Sequence, residues 1–474
     1  MIFSSMIFLF VFLPLVLFGY YGIFSSLEWK NRFLLLASLI FYAWGEPFYI
    51  LLMLLSIALN YTIGSFLTHE DPWVKKQLVF FGVFANLLIL FLFKYEGFVT
   101  ENIGLILGQS FDMRVESLNL SLPIGISFFT FQGISYLVDV SRGKAAPQKN
   151  IFDLGLYIAF FPQLIAGPIL RYETIAEQIK ERKTSYAQLT YGIQRFILGM
   201  SKKIIIANPC SLMALEAFGH DSPSIALAWL GALAYSLQIY YDFSGYSDMA
   251  IGLGHIFGFR FLENFNYPYI SKTVTEFWRR WHISLGSWFR DYVYIPMGGS
   301  RGKTVIRNLF VVWLLTGLWH GADFQFILWG LLYFVLLTFE KMTKIPEKIQ
   351  NKLLSLLYRL FTLLMVMIGW VIFGESSLLG GLHHLSVMFG NSAVLVDMVC
   401  LRLLNNNWFL LLLAVLLSTP ILPYLKKRYP QKKQSMKMIF LYEYLSAFAY
   451  LLLFYVSVSY LVMGSHNPFI YFNF

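Results

Sequence analysis

The stretch RNLFVVWLLTGLWHGADFQFILWGLLYFVLLTFE, residues 307–340, decides which solvent this chain is built for. Basic residues end at Arg307, and the apolar run that follows, Leu309 to Trp319, is about half the length a bilayer crossing needs. It stops at His320, Gly321, Ala322 and Asp323, and a second apolar run, Phe324 to Phe339, begins at once. At about 1.5 Å per helical residue, His320 stands about 20 Å along the helix from Arg307, deep in the membrane if Arg307 marks the surface. A glycine-containing break at that depth is tolerated only where protein buries it or where it lines a wet cavity. A titratable group there is a functional hypothesis by default.

The rest of the chain agrees with lipid as the solvent. Of 474 residues, 58% are hydrophobic, 19% aromatic and only 13% charged, far more apolar surface than a soluble globule of this length carries. Apolar runs lie near residues 2 to 24, 32 to 44, 48 to 67, 78 to 97, 121 to 140, 152 to 169, 187 to 207, 225 to 241, 305 to 319, 324 to 340, 354 to 373, 408 to 424 and 438 to 463, several of them too short to cross alone. The expectation is an all-α integral membrane protein, a polytopic helical bundle of about 12 crossings with further re-entrant or interfacial helices. No soluble domain separates from it, so residues 1–474 are expected to form one membrane domain. The net charge of +10 does not imply nucleic acid, because the Lys and Arg residues fall in short loops, as cytoplasmic loops do. Lys426, Lys427, Arg428, Lys432, Lys433 and Lys437 predict a cytoplasmic loop, and Trp29, Lys30, Asn31 and Arg32 predict another. Both termini, Phe474 included, are then extracytoplasmic. Met1 to Phe24 lacks a basic n-region and reads as the first span. Cys210 and Cys400 fit neither a disulfide framework nor a thiolate metal site, and no metal is expected.

Among the eight histidines, His69, His220, His383, His384 and His466 sit in or near loops or span ends, and His255, after Gly252 and Gly254, reads as a structural histidine. His282 lies in a segment that, wound as one helix from Phe277 to Asp291, carries Arg280, Ser284, Ser287 and Asp291 on one polar stripe. Trp278, Trp281, Leu285, Trp288 and Phe289 form the opposite face, with His282 at its edge. Too basic to cross lipid, the segment suits a re-entrant or interfacial helix lining a cavity. Taken alone it also reads as a plain interfacial anchor whose histidine satisfies a carbonyl. His320 has the stronger case. An imidazole accepts a proton near neutral pH and can serve as general base to an alcohol attacking a thioester. Soluble hydrolase, zinc-protease and nucleotide chemistries lack their apparatus here: there is no Gly-x-Ser-x-Gly elbow, His-Glu-x-x-His pair or P-loop lysine.

Seven stretches carry a resemblance: PIGISFFTFQ (123–132), FPQLIAGPILR (161–171), YDFSGYSDMAI (241–251), ENFNYPYI (263–270), EFWRRWHISLG (276–286), RDYVYIPMGG (290–299) and GLWHGA (317–322). In identity and order they resemble the membrane-bound O-acyltransferase family, in its bacterial branch that includes the membrane subunit of alginate O-acetyltransferase. The FIYFNF ending is similar to that branch as well. The resemblance covers about 120–330, the expected catalytic core. It implies that His320 of the WHG motif is the catalytic residue and that His282 of RRWH is its functional companion. It further implies a funnel or tunnel joining the two membrane faces, a cytoplasmic acyl thioester as donor, and an extracytoplasmic SGNH-type acyltransferase partner that finishes transfer onto a polysaccharide.

The resulting expectation is a multi-pass O-acyltransferase of the bacterial cell membrane that moves an acetyl-type group from acetyl-CoA toward an extracytoplasmic polysaccharide, with no permanently bound cofactor. Arg279, Arg280, Arg290 and Arg307, with Arg301 and Lys303 nearby, would attract the phosphates of coenzyme A, though positive-inside anchoring accounts for them equally. Among Tyr241, Asp242, Ser244, Tyr246 and Asp248, one group could orient a histidine, while a structural hydrogen-bond network is the simpler reading. Peptidoglycan O-acylation and D-alanylation of teichoic acid stay within reach of the branch; the run from Arg290 into IPMGG and the FIYFNF ending favour polysaccharide O-acetylation. Two readings of other classes remain. A transporter would use the breaks near Pro123, Pro162 and Pro168, but it needs symmetrical halves that the sequence does not display. A scaffold for a secreted partner would make both histidines replaceable.

Overall fold

The computed structural model describes residues 1–111, 117–118, 120–165, 167–301, 304–428, 436–464 and 466–467. The FIYFNF ending, Phe474, Lys303, Lys432 and Lys433 lie outside the described residues, as do the side chains of Lys426 and Lys437. Every regular element among the described residues is helical. Six helices are long and apolar enough to cross a membrane: Pro72–Lys94, Tyr186–Phe218, Phe324–Thr343, Lys352–Gly374, Met398–Leu417 and Phe440–Val462. Four shorter apolar helices, Phe8–Ile23, Ile50–Phe66, Val305–His320 and Leu378–Met388, accompany them. The protein is therefore a multi-pass membrane protein built of helices.

Side-chain caps start several of these helices. Asp71 accepts from Trp73 N at 2.8 Å with Pro72 in the first turn, and Asp397 accepts from Cys400 N at 2.7 Å. The second cap moves a boundary. A span expected over 408–424 begins instead at Met398, because the Asp397 cap starts it upstream of Arg402 and Asn405–Asn407, and it ends at Leu417, ahead of Pro420. The run expected over 225–241 extends to Ile256, so Asp242, Ser244 and Asp248 lie inside a helix rather than after one. The 152–169 run divides at Phe160 into Ile151–Ala159 and a short turn at Phe161–Leu164, where Pro162 enters.

The chain forms two compact units. The first contains residues 1–193 and 250–262. Its core holds a nest of Phe3, Phe8, Phe12, Phe41 and Phe161, with Phe12 and Phe161 edge to face at 5.4 Å. Asn60 and Asn86 exchange amide hydrogen bonds of 3.1 and 2.9 Å, packed against Gly133, where a Cβ would meet the Asn60 amide nitrogen at 2.5 Å. Paired amides satisfy each other where water is absent.

The second unit contains residues 194–249 and 263–474. At Lys202–Ala207 its first helix widens into π turns, and two adjacent lysines reach carboxylates of the Ile225–Ile256 helix. Lys203 pairs with Asp242 at 2.5 Å, both buried, while Lys202 and Arg195 hold Asp248 at 2.6 and 2.7 Å. Glycines let Val305–His320 and Phe324–Thr343 close into a tight hairpin. A Cβ at Gly330 would lie 2.5 Å from the Trp313 carbonyl, and one at Gly317 would strike the Phe326 carbonyl.

Candidate active site

The second unit carries both histidines singled out by the sequence. His320 ends the Val305–His320 helix, and the next helix starts at Phe324, so the break falls where the apolar pattern predicts it. Gly321 is crowded by the Phe326 ring, so the turn admits no side chain without repacking. His320 is 4% exposed, with its ring edge-on to Trp319 at 4.9 Å, Trp329 at 5.0 Å and Phe373 at 5.1 Å.

The helix predicted over Phe277 to Asp291 is broken at His282. Val274–Arg280 ends, His282 takes a left-handed backbone with φ 45° and ψ 54°, and Ile283–Phe289 begins. The polar stripe of Arg280, Ser284, Ser287 and Asp291 therefore does not exist as one row. Tertiary hydrogen bonds explain the break. The Arg280 carbonyl, orphaned at the first helix's end, accepts from Asn266 N at 2.9 Å, and Ile283 N donates to the Asn264 carbonyl at 3.0 Å. The Asn264 side-chain oxygen caps the second helix, accepting from Ser284 N at 3.1 Å. A left-handed non-glycine residue costs about 1–3 kcal/mol, so these contacts must over-determine it.

The other end of the short helix is tied down as well. Buried Glu340 accepts from Val274 N at 2.7 Å, Thr275 N at 2.8 Å, Thr275 Oγ1 at 2.6 Å and Tyr358 Oη at 3.0 Å. A carboxylate at a helix N-terminus satisfies free amides and complements the dipole. The His282 ring is thus fixed, edge-on to Phe243 at 4.6 Å and 5.9 Å from the Trp319 ring. Trp319 touches both imidazoles.

A cavity of about 480 Å³ opens beside this segment, lined among others by Trp278, Trp281, His282, Trp313 and Thr316. His320 is not in its lining. Arg279, Arg290 and Lys341 supply positive charge to its wall, with Ser287 and Ser300 as neutral donors. Arg280 instead pairs with Glu276 at 2.8 Å and donates to the Asn266 carbonyl at 3.0 Å. Arg307 donates to Asn308 at 3.4 Å, outside the lining.

Two residues of this site escape the sequence. Asn264, within the ENFNYPYI stretch, meets the His282 ring across 18 positions of chain, and only that stretch's recurrence points to it. Lys341 closes a span and has the look of an ordinary anchor. Asp242 and Asp248 turn to Lys203, Lys202 and Arg195, while the His282 ring meets Asn264 at 3.1 Å. His384, expected at a span end, is buried within Leu378–Met388, 3.2 Å from Glu375 and 3.1 Å from the Ala228 carbonyl.

Residues 36–345 match the model of MBOAT, the membrane-bound O-acyltransferase family. The chain is 44% identical over 383 residues to the "Probable alginate O-acetylase AlgI" of Pseudomonas aeruginosa, covering 80% of this chain and 73% of that one. It is 35% identical to the peptidoglycan O-acetyltransferase of Helicobacter pylori, over 83% of this chain and 81% of that protein. It is 32% identical to the teichoic acid D-alanyltransferase of Bacillus subtilis, over 66% and 81% respectively. With the histidine-bearing hairpin and the broken helix falling inside the matched span, the chain belongs to the membrane-bound O-acyltransferase family and is an O-acyltransferase.

Proposed function

We propose that this O-acyltransferase moves an acetyl group from a cytoplasmic thioester, acetyl-CoA, toward an extracytoplasmic polysaccharide, in the bacterial cell membrane and together with an extracytoplasmic SGNH-type acyltransferase. The observation that carries the reading is the cavity of about 480 Å³ that has His282 and three cations in its wall, with His320 one aromatic ring beyond. Arg279, Arg290 and Lys341 suit the phosphates of a coenzyme A donor, to which guanidinium groups can give paired hydrogen bonds. Lys344, Lys348 and Lys352 follow Lys341 closely in sequence, which fits a cytoplasmic mouth under the positive-inside rule.

Transfer needs a hydroxyl deprotonated as it attacks the thioester carbon. His320, with His282, takes the proton of the attacking hydroxyl; the carbon–oxygen bond forms, the carbon–sulfur bond breaks, and the departing thiolate receives the proton. Aromatic walls suit this chemistry, since they exclude water that would otherwise hydrolyse the thioester. An alginate-type acceptor is favoured by the 44% identity to the Pseudomonas aeruginosa protein, against 35% and 32% for the peptidoglycan and teichoic acid relatives. The test is His320→Ala: surface polysaccharide loses its acetyl esters, at least about 100-fold below wild type, while the protein inserts and accumulates normally. Undiminished acetylation in that variant would remove the reading.

A further inference from the structure

The Asn264 side-chain oxygen meets three groups: Ser284 N at 3.1 Å, Ser284 Oγ at 2.9 Å and His282 Nδ1 at 3.1 Å. The first of these settles the other two. A backbone N–H can only donate, so the amide atom facing it must be the oxygen, and a carbonyl oxygen can only accept. His282 Nδ1 therefore carries the proton, and in the neutral ring the lone pair belongs to Nε2. Asn264 is 1% exposed and holds the Ile283–Phe289 N-terminus with the same atom, so it cannot swing away without uncapping that helix.

We propose that Asn264 is a positioning residue: by accepting from His282 Nδ1 it fixes the ring's tautomer and orientation and reserves Nε2 as the basic nitrogen of the transfer site. This rests on the reading of His282 as part of that site. An amide does this differently from a carboxylate. Asn264 orients the imidazole without supplying negative charge, so the ring stays neutral and able to accept a proton. The proton count agrees: Nδ1 keeps its own proton, so any part of the hydroxyl proton that His282 shares with His320 enters at Nε2, giving an imidazolium whose Nδ1–H remains bonded to Asn264, and it leaves by the same nitrogen for the thiolate.

The pH–rate profile of acetyl transfer from acetyl-CoA to enclosed polysaccharide, by the full-length protein with its extracytoplasmic partner in proteoliposomes, separates positioning from mere support. Asn264→Asp keeps the oxygen in place but adds charge beside Nδ1, which stabilises the imidazolium. The acid limb should move to higher pH by about one unit or more, with activity recovering at alkaline pH. Asn264→Leu, of similar size without an acceptor, should lose about 10- to 100-fold in kcat with KM for acetyl-CoA little changed. If that variant fails to fold, the Asp profile decides alone. A superimposable Asp profile beside an active wild type overturns the proposal while leaving the reading intact. A wild type without transfer, or His282→Ala with full transfer, overturns the reading and the proposal together.

Discussion

At the scale of residues, the site is a set of cations and imidazoles whose roles differ by position. Arg290 also pairs with Asp291 at 2.7 Å, so its charge is partly compensated, whereas Lys341 has Ser300 as a neutral partner at 3.2 Å. If the pair receives donor phosphates, the double variant Arg290→Ala with Lys341→Ala raises KM for acetyl-CoA about tenfold at low salt and leaves kcat within about twofold. Steady-state kinetics at two ionic strengths check this, and an unchanged KM contradicts it. The break at His320 was legible from local charge, apolar length and glycine, whereas the catalytic roles given to His320 and His282 rest on the WHG and RRWH motifs and on the proposed function. Lys341 and Asn264 were not legible, since their roles arise from contact with residues distant in sequence. Arg279 and Arg290 line the cavity while Arg280 and Arg307 do not, a distinction set by where each arginine points rather than by its type.

Elements explain why two imidazoles stand firm in a membrane. The short Val274–Arg280 helix is held at its start by Glu340 and at its end by Asn266, and neither tie is encoded in its own periodicity. That is why the apolar pattern alone predicts an unbroken helix through His282: alternation of aromatic and polar faces continues across a break that only tertiary donors and acceptors create. Glu340→Ala removes the acceptor of four donors at once and should cost at least about 3 kcal/mol, given about 1.5–3 kcal/mol for each hydrogen bond to a charged group. Thermal unfolding in detergent, with acetyl transfer measured alongside, should show both falling together. Stability equal to wild type would mean that Glu340 does not anchor the segment. The Val305–His320 and Phe324–Thr343 hairpin was read closely from sequence, because charge, apolar length and the Gly321 break are local signals. The Met398–Leu417 helix was not, because its cap at Asp397 outweighs the polar Arg402 and Asn405–Asn407 that follow.

Over the whole molecule, composition names the solvent before any contact is known, and helices follow because lipid leaves backbone groups no other partners. Buried charge then has to be matched inside the protein, as Lys203 with Asp242 is, since a lone buried ion would cost several kcal/mol. Two compact units, each with its own core, are not visible in a chain of near-uniform hydropathy, because two of their three boundaries, after residues 193 and 249, fall within apolar helices rather than at polar linkers. Both histidines and the cavity belong to one of them. The proposed function requires acetyl to pass the His320 site from one membrane face to the other. Inverted membrane vesicles carrying the protein and its extracytoplasmic partner, given acetyl-labelled coenzyme A outside and polysaccharide within, test it most directly. Label esterified to luminal polymer is expected in wild type and only background in His320→Ala; equal labelling in the two would rule out passage through His320.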